Sequence, residues 1–293
     1  MTPVTSLAYR GGVPDSRSPA DALAAGLAEV LPDAVEQSSF DPAPPPAHPE
    51  PAWWGRPVAE VRWQAELARL LVDPVYAGRG VPRGDGGPVL LVPGFLAGDS
   101  SLSVMAGWLR RIGHDAHGAG ITANVDCSDK AVARLERVLL RLHLRTGRKV
   151  AIVGHSRGGH FAKALAARHP DGVRAVVSLG SGLDEPFDIS LPTKAAVAVV
   201  RGVLRRLDPS TAGRGCLTST CDCPFTRDYA APFPESVPLT SIFSKGDGVV
   251  RWRACVVPYA RSVEVRGSHV GLAFNRHAYR ALAEALAPAG PPA

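Results

Sequence analysis

From residue 88 onward, short apolar blocks alternate with stretches in which apolar residues recur every three to four positions. Val89–Val92, Val150–Val153, Ala175–Leu179 and Leu239–Phe243 are blocks too short for helices and read as buried strands. Ala116–Ile121 and Val263–Arg266 read the same way. Between them, Leu102, Met105, Trp108, Leu109 and Ile112 form one face of a predicted helix over Ser101–Ile112. Further helices are predicted at Asp129–Thr146, Arg157–Arg168, Val249–Val256 and Arg276–Leu286. Strands alternating with helices require crossover connections. The fold class expected is therefore α/β, with a mostly parallel central sheet covered by helices on both faces.

Two regions break the rhythm. Residues 186–235 separate two strands by far more chain than the dozen or so residues a crossover needs, so they read as a helical cap insertion. Within it Val200, Val203, Leu204 and Leu207 share a helix face, which should turn toward the body or a ligand. Lys194, Arg201, Arg205 and Arg206 supply the charge. The other region is the start of the chain, where eleven of the 27 prolines fall within residues 1–57. It reads as an extended arm interrupted by a helical patch at 19–31 and followed by one at 57–72, the latter with Val58, Val61, Leu67, Leu70 and Leu71 inward; Trp53 and Trp54 should pin it to the body. The expected organisation is a Pro-rich N-terminal arm, 1–74, and a catalytic-size domain, 75–293, carrying the cap 186–235.

At 293 residues and 45% hydrophobic content the chain can bury a full core, and its glycines and prolines follow no collagen period. Net charge is +6, but the arginines are dispersed among acids and only 6% of residues are aromatic, so no nucleic-acid partner is expected. The one basic stripe, Arg134, Arg137, Arg141 and Arg145, reads as the solvated face of a helix whose other side is Val132, Leu135, Val138, Leu139 and Leu142. The first residues lack the apolar core of a signal peptide and no run is long enough for a membrane span, which points to a cytoplasmic protein without stable membrane insertion. Of the five cysteines, Cys127, Cys216, Cys221, Cys223 and Cys255, three form a C-x4-C-x-C cluster that is irregular beside the paired C-x2-4-C knuckles of zinc sites and has no histidine near it in sequence, so a disulfide or buried thiols are expected before metal. No cofactor fingerprint occurs: Gly84-Asp85-Gly86-Gly87 precedes a strand instead of joining one to a helix.

The sharpest chemical signal is VAIVGHSRGGHFAKALA, residues 150–166. An apolar strand enters Gly154-His155-Ser156-Arg157-Gly158 and passes at once into a helix, the context in which a G-x-S-x-G turn lifts a serine hydroxyl out of the sheet edge. The glycines leave room for the turn, and the helix start offers N–H groups and a positive dipole end. A serine nucleophile needs a base oriented by an acid. On these residues the chain resembles the α/β-hydrolase superfamily over roughly residues 75–287, and within it the bacterial lipase and esterase branch, with most similarity to actinobacterial members.

That resemblance implies the chain order serine, acid, histidine. His269 in RGSHVGLAFN follows the last strand and fits the base; His160, His169 and His277 fall inside helical patterns. Asp247 in SIFSKGDGVV follows the strand Leu239–Phe243 and fits the acid, with Asp184 in SLGSGLDEP as the alternative acid. The PGF of LLVPGFLAGDSS matches the lipase pattern, implying an oxyanion hole from the backbone N–H groups of Phe95 and Arg157. The Arg157 side chain is expected to pair with an acid such as Asp184 or Glu185, and His155 to pack. The activity implied is hydrolysis of a carboxylic ester or lipid through an acyl-enzyme. Acyltransfer and thioester hydrolysis use the same residues and stay open, as does a catalytically silent binding protein; nucleophilic-aspartate members of the superfamily do not fit Ser156.

Overall fold

A computed structural model describes residues 57–207, 217, 221 and 223–288. A 3-10 turn, Pro57–Arg62, leads into α1 (Trp63–Val72). There follow β1 (Pro88–Val92), α2 (Ser103–Arg111), β2 (Asp115–Gly118), α3 (Ser128–Thr146), β3 (Val150–His155), α4 (Arg157–Arg168) and β4 (Val173–Leu179). The cap contributes α5 (Leu191–Leu207) and α6 (Pro224–Ala230), before β5 (Leu239–Phe243), β6 (Arg261–Glu264) and α7 (Arg276–Ala285). The patch at 19–31, Trp53, Trp54 and Cys216 lie outside the described residues.

The strands form one sheet in the order β2-β1-β3-β4-β5-β6, with every pairing parallel. Alternation along each strand divides the core in two. Val89, Leu91 and Val153 point to the side holding Trp108 and Tyr279, whereas Leu90, Val92 and Ile152 point to the side holding Leu135 and Phe161. Burial on both faces explains why β1 and β3 read as unbroken apolar runs. Each such side chain contributes about 1.5–3 kcal/mol by leaving water. Trp108 is held further: its indole N–H donates to the Val75 carbonyl at 2.7 Å, and its ring lies 4.5 Å from that of Tyr279. On α3 the stripe Val132, Leu135, Leu139 and Leu142 is buried, and Arg134 and Arg145 reach Asp126 and Asp115 at 2.9 Å on the outer side.

Several expectations need correction. Val249–Val256 is no helix: it is a loop with a 3-10 turn at Trp252–Cys255. The Val249 and Val250 N–H groups both donate to the Asp247 carboxylate at 2.8 Å, and Val250 forms an antiparallel bridge with Ile189, so these β-branched residues serve a turn. The second strand stops at Gly118, because the Asp99 carboxylate accepts the following N–H groups of Ala119, Gly120 and Ile121. The last strand begins two residues early, at Arg261. On α1 the inward face is Glu66 and Leu70, while Leu71, like Val61 on the preceding 3-10 turn, is exposed, since the helix docks through Trp63 against Phe274 and through Glu66 against the loop before it. On α5 Val203 is exposed and Val200 and Leu204 are half-buried, while the side chain of Leu207 lies outside the described residues; the buried position is Ala198, and Val197 lines a cavity.

Replacing Trp108 by Ala should lower stability by about 3–5 kcal/mol, read from the midpoint of urea unfolding. Val203→Ala on the exposed cap face should change it by no more than about 0.5 kcal/mol.

Candidate active site

In a sheet ordered 2-1-3, the connections leaving β1 and β3 run to opposite sides, and a crevice opens at their carboxyl ends. Ser156 stands at that point, between β3 and α4. Its backbone has φ 53° and ψ −124°, a conformation that costs a non-glycine residue on the order of 1–3 kcal/mol. Hydrogen bonds hold it there: Ser156 N–H donates to the Leu179 carbonyl at 2.8 Å, and the Ser181 hydroxyl and Gly159 N–H donate to the Ser156 carbonyl at 2.7 and 2.9 Å. Neither Gly154 nor Gly158 has room for a side chain; a Cβ would strike the Gly158 backbone in the first case and the Val92 carbonyl in the second.

The loop after β1 lies beside this turn, close enough that a Cβ on Gly94 would come within 3.0 Å of Ser156 Cβ. Arg157, the first residue of α4, offers a backbone N–H of the kind a helix cannot satisfy internally. Its buried guanidinium donates to the Asn124 carbonyl (3.1 Å) and side-chain oxygen (2.9 Å), the Asp126 carbonyl (2.6 Å) and the Ser128 hydroxyl (3.1 Å). Asn124 in turn donates to the Pro93 carbonyl at 2.8 Å and accepts the Leu96 N–H. The expected pairing of Arg157 with Asp184 or Glu185 is thus replaced by this link between the serine turn and the Phe95 loop. Asp184 accepts instead from Lys163, at 2.9 Å, and from the Tyr259 hydroxyl.

Asp247 and His269 meet on the loops that follow β5 and β6, where Asp247 Oδ2 accepts from His269 Nδ1 at 2.7 Å; both are buried. This bond leaves Nε2 as the ring's proton-accepting atom. Burial opposes charging of His269, but the Asp247 carboxylate and, behind it, Glu60 outweigh this and raise its pKa above 6.5. His155, the residue before Ser156, brings the imidazole to the turn: the two rings lie 4.9 Å apart and His155 Nε2–H donates to the His269 carbonyl at 2.9 Å. Burial, reinforced by His269, pushes His155 down to about 4, so it stays a neutral donor. His160 is likewise pushed down to about 3 by burial, with Arg157 and Lys163 adding to the effect.

A cavity of about 320 Å³ opens in front of Ser156, bounded by Phe95 and Arg157 on the body and by Phe187, Val197 and Phe225 under the cap. Cys221 lies on its wall, with its sulfur 3.3 Å from that of Cys223. Among the described residues, no cluster of three or more His, Cys, Asp or Glu is arranged to hold a metal, and no helix is long and apolar enough to cross a membrane.

A family model described as alpha/beta hydrolase fold matches residues 87–220. The chain has the α/β-hydrolase fold. Among solved structures, the mature form of a Bacillus licheniformis lipase superposes with a TM-score of 0.50 over 71% of this chain and 95% of its own, at 17% identity. The propeptide form of that lipase gives 0.50 over 73% of this chain and 54% of its own, at 19% identity. A monoacylglycerol lipase from Paleococcus ferrophilus aligns at 0.47, over 70% and 96%, at 16% identity. Among curated protein sequences none matches the chain.

Two carboxylates that sequence patterning passes over bond to the Asp247 and His269 loops. Glu60 accepts the N–H groups of Gly248 (3.0 Å), His269 (2.9 Å) and Val270 (2.9 Å). Glu66 accepts that of Ser268 at 2.9 Å and lies where a side chain on Gly271 would have to go; burial raises its pKa. Ser244 ties the same two loops, accepting from Gly246 and Gly267 and donating to the Gly267 carbonyl at 2.7 Å. Both glutamates fall within the helical pattern at 57–72, where nothing local marks them as acceptors for distant amides.

Replacing Asp247 by Asn should lower the His269 pKa, because the charge that offsets burial is lost, whereas Asp184→Asn should leave it in place. Titration of the His269 ring by NMR separates the two acids.

Proposed function

We propose that the protein is a serine carboxylic ester hydrolase, with Ser156 as nucleophile, His269 as base and Asp247 as the acid that orients it. The observation that carries this reading is the buried 2.7 Å bond from His269 to Asp247, with the His269 ring against that of His155, the residue before a serine whose backbone is held in an unfavourable conformation at the wall of an apolar cavity. Ser156 Oγ attacks the acyl carbonyl as His269 Nε2 takes its proton. The developing oxyanion is received by the backbone N–H groups of Phe95 and Arg157, and His269 returns the proton to the departing alcohol. Water, activated by the same imidazole, then releases the acid.

The cavity favours an apolar acyl group. Its volume falls near the lower end of the roughly 300–1,000 Å³ usual for small-molecule sites, which matches short and medium chains better than long ones. The fold itself is shared by enzymes of many specificities, and the lipase names among the superposed structures agree with this reading without fixing the substrate.

Release of p-nitrophenol should be faster from the octanoate ester than from acetate or palmitate, and Ser156→Ala should reduce it by about 10³-fold or more. Equal rates for wild type and Ser156→Ala on every ester would overturn the assignment. Adding an alcohol acceptor or an acyl thioester to the same assay distinguishes acyltransfer and thioester hydrolysis, which use the same three residues.

A further inference from the structure

We propose that Glu60 is a positioning residue for this reaction, its carboxylate clamping the Asp247 loop and the His269 loop together so that the imidazole stands ready to take the serine proton. The inference rests on the ester-hydrolase reading above. Its basis is the arrangement of three backbone donors around one side chain. Glu60 Oε1 accepts both Gly248 N–H, the residue after the acid, and the N–H of His269 itself, while Oε2 accepts Val270 N–H. These donors belong to loops that follow different strands, and the carboxylate reaches them from a 3-10 turn that lies before the first strand. A carboxylate accepting several N–H groups is held more firmly than one making a single bond, because each contact fixes the same rigid group from another direction.

Other contacts bear on the same two loops but not in the same way. Ser244 bridges them through Gly246 and Gly267, which precede Asp247 and His269 in the chain, whereas Glu60 bonds to His269 itself and to residues that follow the two. Glu66, on α1, touches only the His269 loop, through Ser268 N–H. Glu60 alone among these bonds to the backbone of His269 and to that of the residue following Asp247. The ionisable groups around the imidazole are Asp247 from the loop after β5, His155 from the end of β3, and Glu60 from the 3-10 turn; Arg62 and Glu66 approach the same loops. The negative charge of Glu60 adds to that of Asp247 in favouring a protonated His269, the state the ring reaches after accepting the serine proton.

Two substitutions in the full-length protein test this. Glu60→Gln keeps the volume of the side chain and an oxygen for Gly248 and His269, but removes the charge and the acceptor for Val270. Glu60→Ala removes all three contacts. With p-nitrophenyl octanoate as probe, Glu60→Gln is expected to lower kcat about tenfold and Glu60→Ala on the order of 10²-fold, the loss that follows displacement of a catalytic group by about an ångström. KM should move by less than about twofold, since Glu60 does not line the cavity. The acidic limb of the kcat profile and the NMR titration of His269 should both shift to lower pH in Glu60→Gln. Unchanged kcat and an unchanged His269 titration in a folded Glu60→Gln protein, judged by circular dichroism and its melting profile, would reduce Glu60 to a packing contact and overturn the proposal. If the wild type hydrolyses no ester, the activity reading fails, yet the His269 titration still decides whether Glu60 acts on that ring.

Discussion

The unfavourable backbone of Ser156 is the constraint around which the rest of the molecule is organised. A residue at φ 53° and ψ −124° relaxes unless its surroundings determine its position several times over, and here they do. Its N–H is tied to β4, its carbonyl is held by Ser181 and Gly159, and the strand before it lies in the middle of the sheet with parallel neighbours on both sides. The core on the two faces of β3 anchors the turn from below, so the energy that holds Ser156 in place comes from apolar burial some distance from the hydroxyl.

Around this point the polar groups divide into two sets that do not share members. One, built on Arg157 and Asn124, joins the serine turn to the loop after β1. The other, built on Glu60, Ser244 and Glu66, joins the Asp247 and His269 loops. His155 links the second set to the serine, since its ring faces that of His269 and its N–H holds the His269 carbonyl. A buried arginine fully engaged by carbonyls and a hydroxyl is a rigid strut, which is why Arg157 beside the serine is compatible with an apolar cavity.

What patterning along the chain revealed, and what it hid, follows from the range of the interactions concerned. The strands of a parallel sheet are apolar on both faces, so Val89–Val92 and Leu239–Phe243 stand out as blocks, and the serine turn is legible because strand, glycines and helix are contiguous. Val249–Val256 misleads because its apolar spacing resembles a helix, whereas the N–H groups that would begin one are taken by Asp247. The Arg157 side chain misleads for a related reason: charge suggested a charged partner, and the structure supplies carbonyls, which leave no mark in a sequence. Glu60 and Glu66 are hidden most completely, because their partners are backbone amides, and any residue except proline has one.

The bonds from Glu60 and Glu66 to the histidine loop cross 202 to 210 residues of chain, nearly the whole length of the fold. Contacts of that separation form late, since the chain entropy lost in closing so long a loop is recovered only when the intervening sheet already exists. During synthesis the serine turn can be complete while its partner loops have yet to emerge from the ribosome. The segment that makes Glu60 available is among the first of the described residues to be translated, and it must wait for nearly the last ones before its contacts exist. A chain cut short before residue 269 would therefore lack the amides of His269 and Val270 that Glu60 holds, so that these contacts arise only with the final closure of the two ends.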